Sequence, residues 1–257
     1  MRGDRKDRPV ALVTGGSRGI GAATAALLAM NGYDLLLVHR GRTRTSALAE
    51  HVTSLGAKMH QIHSDLSDPA QAEYVGQRAA QHSVAAMAWC AGELDVCGLR
   101  EATAGRAISA LTAACISPML VIRECAGSLA AARGSVVLVS SVSAIAPTHE
   151  RVIYSAAKAA MIGLARSLAI ELAPCVRVNA VLPGVIDTGM TAPLHHDARA
   201  LQELNRRIPL GRTGSGRECA QLIVYLISEA ASYLTGTAIP LDGGLLARSP
   251  APGGDQT

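Results

Sequence analysis

Apolar positions along this chain fall into short unbroken runs, separated by stretches where apolar residues return with helical spacing. Val10-Ala-Leu-Val-Thr14 is the first run and ends in glycines, and residues 22–30 after it are rich in Ala and Leu with helical character. This predicts a strand, a turn and a helix. Beyond the Asn31-Gly32 break, residues 34–38 predict a second buried strand, and a polar helix over 44–55 leads to a third strand around 58–63. The rhythm continues with strands near 84–90, 135–140, 176–181 and 237–241, and helices fill the intervals. Strand runs without strict alternation indicate burial on both faces. The expected fold class is therefore α/β, a single-domain, doubly wound parallel sheet of about seven strands with helices on both faces.

With 257 residues, 49% of them hydrophobic, the chain can bury a sizeable core. No linker, composition shift or internal repeat divides it, which predicts one domain over 10–247, a disordered charged arm over 1–9 in place of a signal peptide, and a disordered tail over 248–257. Residues 190–216 carry His195, His196 and several arginines and break the β–α rhythm just after a strand end, so they are expected to form a lid over a ligand. Apolar runs stop short of the roughly eighteen residues of a membrane span, so no membrane contact and a cytoplasmic location are expected. A net charge of +4, with arginines scattered and no interleaved aromatics, argues against a nucleic-acid partner. Cys90, Cys97, Cys115, Cys125, Cys175 and Cys219 form no C-x-x-C pair, so neither disulfides nor a metal site is expected.

Candidate chemistry begins at Thr14-Gly15-Gly16-Ser17-Arg18-Gly19-Ile20-Gly21, which opens directly into a helix. Glycines let backbone N–H groups approach a pyrophosphate, and the helix N-terminus adds partial positive charge there. An acidic residue at the end of the second strand would accept hydrogen bonds from the adenosine ribose of NAD. The sequence instead runs Val38-His39-Arg40-Gly41-Arg42. With Arg18, these arginines can hold a 2′-phosphate, which points to NADP(H).

Tyr154 and Lys158 stand four apart in an Ala-rich helical run, on one face and about 6 Å apart along the axis. A phenol with a pKa near 10 needs roughly 4 kcal/mol of help to ionise about three units lower, and a neighbouring ammonium is a direct source. Ser141, at the end of the fifth strand, can donate to a substrate carbonyl that Tyr154 protonates.

In their order these motifs resemble the classical short-chain dehydrogenase/reductase family: the glycine turn, Asp65 after the third strand, Ser141 thirteen residues before Tyr154-x-x-x-Lys158, Asn179-Ala-Val-Leu-Pro183-Gly184 followed by Thr188, and Leu234-Thr-Gly-x-x-Ile-Pro-Leu-Asp242-Gly-Gly244. The resemblance covers about 10–247 and implies a Rossmann-type fold. It also implies that Ser141, Tyr154 and Lys158 are catalytic and that Gly15, Ser17, Arg18, Gly19, Ile20, Gly21 and Arg40 meet the cofactor phosphates. Asp65 and Leu66 would meet the adenine, and Lys158 the nicotinamide ribose. Cys90, Ala91, Gly92, Pro183 and Gly184 would line the cofactor cleft, with Ile186 and Thr188 at the carboxamide. Helices flanking the fifth strand would join subunits into a homodimer or homotetramer, a reading that the nearly charge-free run 152–173 supports.

Two positions depart from the family pattern. Cys90-Ala91-Gly92 stands where the family has Asn-Ala-Gly, and Ala114 stands where an Asn usually holds a proton-relay water. Two readings follow: an enzyme whose relay water is held by backbone carbonyls, which the retained Ser141, Tyr154 and Lys158 favour, or a non-catalytic NADP(H)-binding relative. The expected activity is NADPH-dependent reduction of a ketone on a hydrophobic small molecule, in secondary metabolism, with a 3-oxoacyl-thioester reductase as the alternative. Val142, His149, Val185, Met190 and Leu194 are the expected substrate contacts. Arg151, Arg206, Arg207 and Arg212 form a candidate basic patch for a carrier protein.

Overall fold

Successive strand residues point to opposite faces of a sheet, and both faces are covered here. In the computed structural model, which describes residues 8–41, 43–189 and 198–247, Leu12, Leu36, Met87, Trp89, Val136 and Leu138 join one buried cluster, while their neighbours Val13, Leu37, Ala88 and Val137 join another. The strands are β1 (Val10–Thr14), β2 (Asp34–His39), β3 (Met59–His63), β4 (Val84–Trp89), β5 (Ser135–Val139), β6 (Arg177–Pro183), the short β7 (Ile186–Asp187) and β8 (Gly214–Ser215), and β9 (Ala238–Leu241). Seven of them form a parallel sheet in the order β3-β2-β1-β4-β5-β6-β9, the expected doubly wound, Rossmann-type architecture; β7 and β8 form a separate two-stranded pair that the sequence pattern does not predict.

One face is covered by α3 (Pro69–Ala80), α5 (Ser117–Ala131) and α6 (Val152–Glu171), and the other by α1 (Gly19–Met30) and α8 (Gly216–Ile227). Shorter helices are α2 (Ser46–Ser54), α4 (Ala104–Leu111) and, within the expected lid, α7 (Ala198–Arg207). Local chemistry starts several of them. Asp68 accepts from the Ala70 amide ahead of Pro69, and Ser215 and Glu218 form a reciprocal capping box.

The order β2-β1-β4 reverses the direction of strand addition, so the carboxyl ends of β1 and β4 border a crevice of the kind that binds nucleotides. A π-helical turn, Thr112–Ile116, joins α4 to α5 and was not expected from the sequence. Its Ala113 carbonyl accepts the Trp89 indole N–H at 3.2 Å, which ties the end of β4 to the helix run.

Two expectations need correction. Residues 8 and 9 belong to the domain: Arg8 donates to the Leu55 carbonyl at 2.9 Å, and the Pro9 carbonyl accepts from the Asp34 amide at 2.9 Å. The helical runs Ala104–Ala131 and Val152–Glu171 are long and apolar enough, by length and composition, to cross a membrane, because small and aliphatic residues dilute their few charges. Each nonetheless lays a stripe against the sheet: Val121, Ile122 and Cys125 from α5, and Ala157, Met161 and Ala165 from α6.

Candidate active site

The turn after β1 packs on backbone. Gly15 has φ +63°, and a Cβ there would lie 3.0 Å from both the Cys90 carbonyl oxygen and the Ala91 amide nitrogen. At Gly21 a Cβ would lie 2.3 Å from the Gly15 carbonyl oxygen, so the first turn of α1 needs that glycine to close on the loop. No side chain caps α1 and no acidic residue stands in its first turn, which leaves its N-terminal partial charge facing the turn. This cradle fits a pyrophosphate. Ser17 and Ile20 are half-buried in it and Arg18 is exposed at its edge. Thr188, arriving from β7, has its methyl 3.4 Å from where a Gly19 Cβ would stand.

The other expected cofactor residues stand at or just beyond the carboxyl ends of the strands. The Asp65 carboxylate accepts from the Ser67 amide at 3.1 Å and the Ser67 hydroxyl at 2.8 Å, and the Asp65 amide donates to Gln71 at 2.6 Å. Leu66 is buried, with its carbonyl accepting from the Ser117 hydroxyl at 2.7 Å. Arg40 is half-buried at the end of β2 and paired with Glu93, whose hydrogen bond raises the guanidinium pKa further. The Ala91 amide donates to the Thr14 hydroxyl at 3.1 Å. Pro183 and Ile186 are buried, and a Cβ on Gly184 would come within 2.8 Å of Asp242.

Ser141 follows β5 in an extended conformation, and its hydroxyl accepts from the Ser143 amide at 3.1 Å. Next to it, the Ser140 hydroxyl donates to the Lys158 carbonyl at 2.7 Å and so fastens α6 to the strand end. That register places Tyr154 close enough to Ser141 for the serine to lower the pKa of the phenol. Lys158 is buried, 5.8 Å from the Tyr154 ring centre, and donates to the Val139 carbonyl at 2.8 Å. Gly92 leaves room for it: a Cβ there would lie 3.1 Å from Nζ. Burial lowers the Lys158 pKa to about 8, partly offset by Cys90.

A phenol, a buried amine and a serine hydroxyl thus gather at the end of β5, with the glycine turn after β1 on the far side of β4. A family model described as enoyl-(acyl carrier protein) reductase matches residues 15–246. The chain is 37% identical over 245 residues to the oxidoreductase YgfF of Escherichia coli strain K12, covering 91% of this chain and 99% of that protein. It is 35% identical over 249 residues to the 3-oxoacyl-[acyl-carrier-protein] reductase FabG of Aquifex aeolicus strain VF5, covering 92% and 96%. The chain belongs to the short-chain dehydrogenase/reductase family. Among solved structures, a 3-oxoacyl (acyl-carrier-protein) reductase from Agrobacterium tumefaciens C58 with NADP bound superimposes with TM-score 0.86 at 30% identity, covering 91% of this chain and 93% of that one.

In this short-chain dehydrogenase/reductase burial raises the Tyr154 pKa, and the groups that lower it are Ser141 and Arg151. The imidazole of His149, an expected substrate contact, is 93% exposed and lies 3.9 Å from the Glu150 carboxylate. Arg212 is held by Glu218 at 2.7 Å, which removes it from a free basic patch. Val142 is buried beside Ser141, and Val185 and Ile186 line a cavity of about 120 Å³ with Leu210, Gly214 and Leu241. Arg42, Met190, Leu194, His195 and His196 lie outside the described residues.

The two departures from the family are now placed. Burial raises the Cys90 thiol to about 12 against the lowering influence of Thr24 and Lys158, while the Cys90 backbone still closes against Gly15. Ala114 sits buried inside the π turn, where helical hydrogen bonding is already interrupted. Sequence reasoning missed Glu93, Arg151 as a neighbour of Tyr154, and the Trp89 contact. An acidic residue just after Gly92 was the available signal for the first; the others needed the fold.

Proposed function

We propose that this chain is an NADPH-dependent ketoreductase acting on a hydrophobic small molecule in a biosynthetic pathway of secondary metabolism. The cofactor is NADP(H), and the enzyme is an NADP(H)-dependent oxidoreductase. The observation that carries the reaction is the buried Lys158, 5.8 Å from the Tyr154 ring centre and bonded to the Val139 carbonyl just before Ser141. Once bound, the reduced nicotinamide supplies the hydride. Gly15, Ser17, Gly19, Ile20 and Gly21 hold the pyrophosphate, and Arg18 and Arg40 hold the 2′-phosphate. Asp65 and Leu66 border the adenine, Cys90, Ala91, Gly92, Pro183 and Gly184 wall the cleft, and Ile186 and Thr188 border the carboxamide. Ser141 donates a hydrogen bond to the ketone oxygen, and Tyr154 gives that oxygen its proton. Lys158 binds the nicotinamide ribose and, with a pKa near 8, holds a proton that can refill the phenol.

Replacing Tyr154 with Phe and following NADPH oxidation with a responsive ketone tests the mechanism; undiminished turnover refutes it. Val142 and Val185 supply aliphatic walls, which suits a free hydrophobic ketone, with Met190 and Leu194 proposed to add to them. A carrier-bound 3-oxoacyl thioester is the second reading, favoured by the names of relatives such as the Aquifex protein. A screen comparing cyclic ketones, quinones and 3-oxoacyl thioesters decides, and preference for thioesters on a carrier protein overturns the free-ketone reading. Exposed Ile108, Leu111, Ile116 and Met119 on the α4–α5 run, with Val152 and Ile170 on α6, support assembly as a homodimer or homotetramer through those helices.

A further inference from the structure

Arg40 stands at the carboxyl end of β2 and Glu93 in the turn after β4, and the sheet order places β1 between those strands. Their ion pair therefore crosses above the end of β1, where the glycine turn begins and where Cys90 and Ala91 close against Gly15. Asp65 adds a second negative charge near the same guanidinium. In a crevice of this kind the residue after the second strand reads the adenosine ribose, so Arg40 already holds a carboxylate where a 2′-phosphate would have to be held.

We propose that Glu93 is a specificity-determining residue of the cofactor site: it occupies Arg40 in the cofactor-free protein and opposes a 2′-phosphate, lowering affinity for NADP(H) but not for NAD(H). The inference rests on the reading of Arg40 as the 2′-phosphate ligand. A phosphomonoester engages a guanidinium through the same forked N–H edge that a carboxylate uses, so the two compete. If Glu93 stays close instead of moving away, its charge repels the phosphate directly. Both effects have one sign. Arg40 and Glu93 side chains are 28% and 62% exposed, so water screens them and the effect has the size of a surface pair, about 3- to 10-fold in affinity. If Glu93 were only a prop that keeps Arg40 extended toward the ligand, its removal would have the opposite sign.

The test measures dissociation constants of NADPH and NADH for the wild type, Glu93→Gln, Arg40→Gln and the double variant, with thermal unfolding to confirm that each is folded. Glu93→Gln is expected to tighten NADPH about 3- to 10-fold and leave NADH within about twofold. Arg40→Gln is expected to weaken NADPH by about tenfold or more and to erase most of the gain in the double variant. Weaker NADPH binding by Glu93→Gln, or equal shifts for both nucleotides, overturns the role of Glu93 and leaves that of Arg40 standing. A gain undiminished in the Arg40→Gln background overturns the competition for Arg40. An Arg40→Gln variant with unchanged NADPH affinity overturns the reading of Arg40 and this inference together.

Discussion

Lys158→Met should make the cofactor-free protein more stable at neutral pH while abolishing what the amine does in the site. The Lys158 ammonium is buried, and its pKa falls from 10.5 to about 8. A shift of about 2.5 units corresponds to roughly 3 kcal/mol of destabilisation whenever the amine is charged in both folded and unfolded chains. The sign follows from proton counting. Between pH 8 and 10.5 the unfolded chain binds more protons than the folded one, so this contribution favours the fold increasingly as pH rises through that window. Below pH 8 the full penalty is present. Methionine fills similar volume without charge but leaves the Val139 carbonyl without the donor at 2.8 Å, a loss of about 1 kcal/mol. The net gain at pH 7 is then about 2 kcal/mol, or roughly 4–8 °C in Tm for a domain of this size. Urea unfolding of both proteins at pH 7, 8, 9 and 10, at one protein concentration, measures it. A variant less stable than the wild type at pH 7 would refute the reasoning, as would a difference that does not shrink as pH rises from 8 to 10.

Tyr154→Phe should lower kcat by about 10²- to 10⁴-fold with little change in NADPH affinity, read from steady-state kinetics and a binding titration. Trp89→Phe keeps the ring in the core but strips the Ala113 carbonyl of its donor, and should destabilise the protein by about 1–3 kcal/mol in urea unfolding. Gly21→Ala drives a Cβ to 2.3 Å from the Gly15 carbonyl, so NADPH binding should fall sharply, as calorimetry would show. Arg177→Met leaves the Leu226, Ile227, Ser228 and Ala231 carbonyls without their guanidinium donors. A loss of about 3–5 kcal/mol is expected in thermal unfolding.

Much of this was legible before any fold was known. Strand runs buried on two faces, glycines at the first strand–helix junction and a Tyr-x-x-x-Lys pair are local patterns, and each depends on chemistry within one turn or one strand. They carry the doubly wound sheet, the glycine turn proposed to hold phosphates, and the Tyr154 and Lys158 pair proposed to be catalytic. Residues 8 and 9, by contrast, look like part of a charged arm until their contacts with Leu55 and Asp34 are seen. His149 is near Tyr154 in sequence yet turned to solvent, because the few residues before a helix leave a side chain's direction open.

By itself the sequence determined which elements form and which residue types stand at strand ends, since periodicity and glycine placement act over a few residues. Tertiary structure alone decided how those ends meet. The Lys158 pKa depends on burial among several segments, partly offset by Cys90. The Arg40–Glu93 pair joins residues fifty-three positions apart. The π turn holding Ala114 is secured by an indole from another strand. Burial and charge are properties of a volume that several segments share, and a linear pattern shows only one segment at a time.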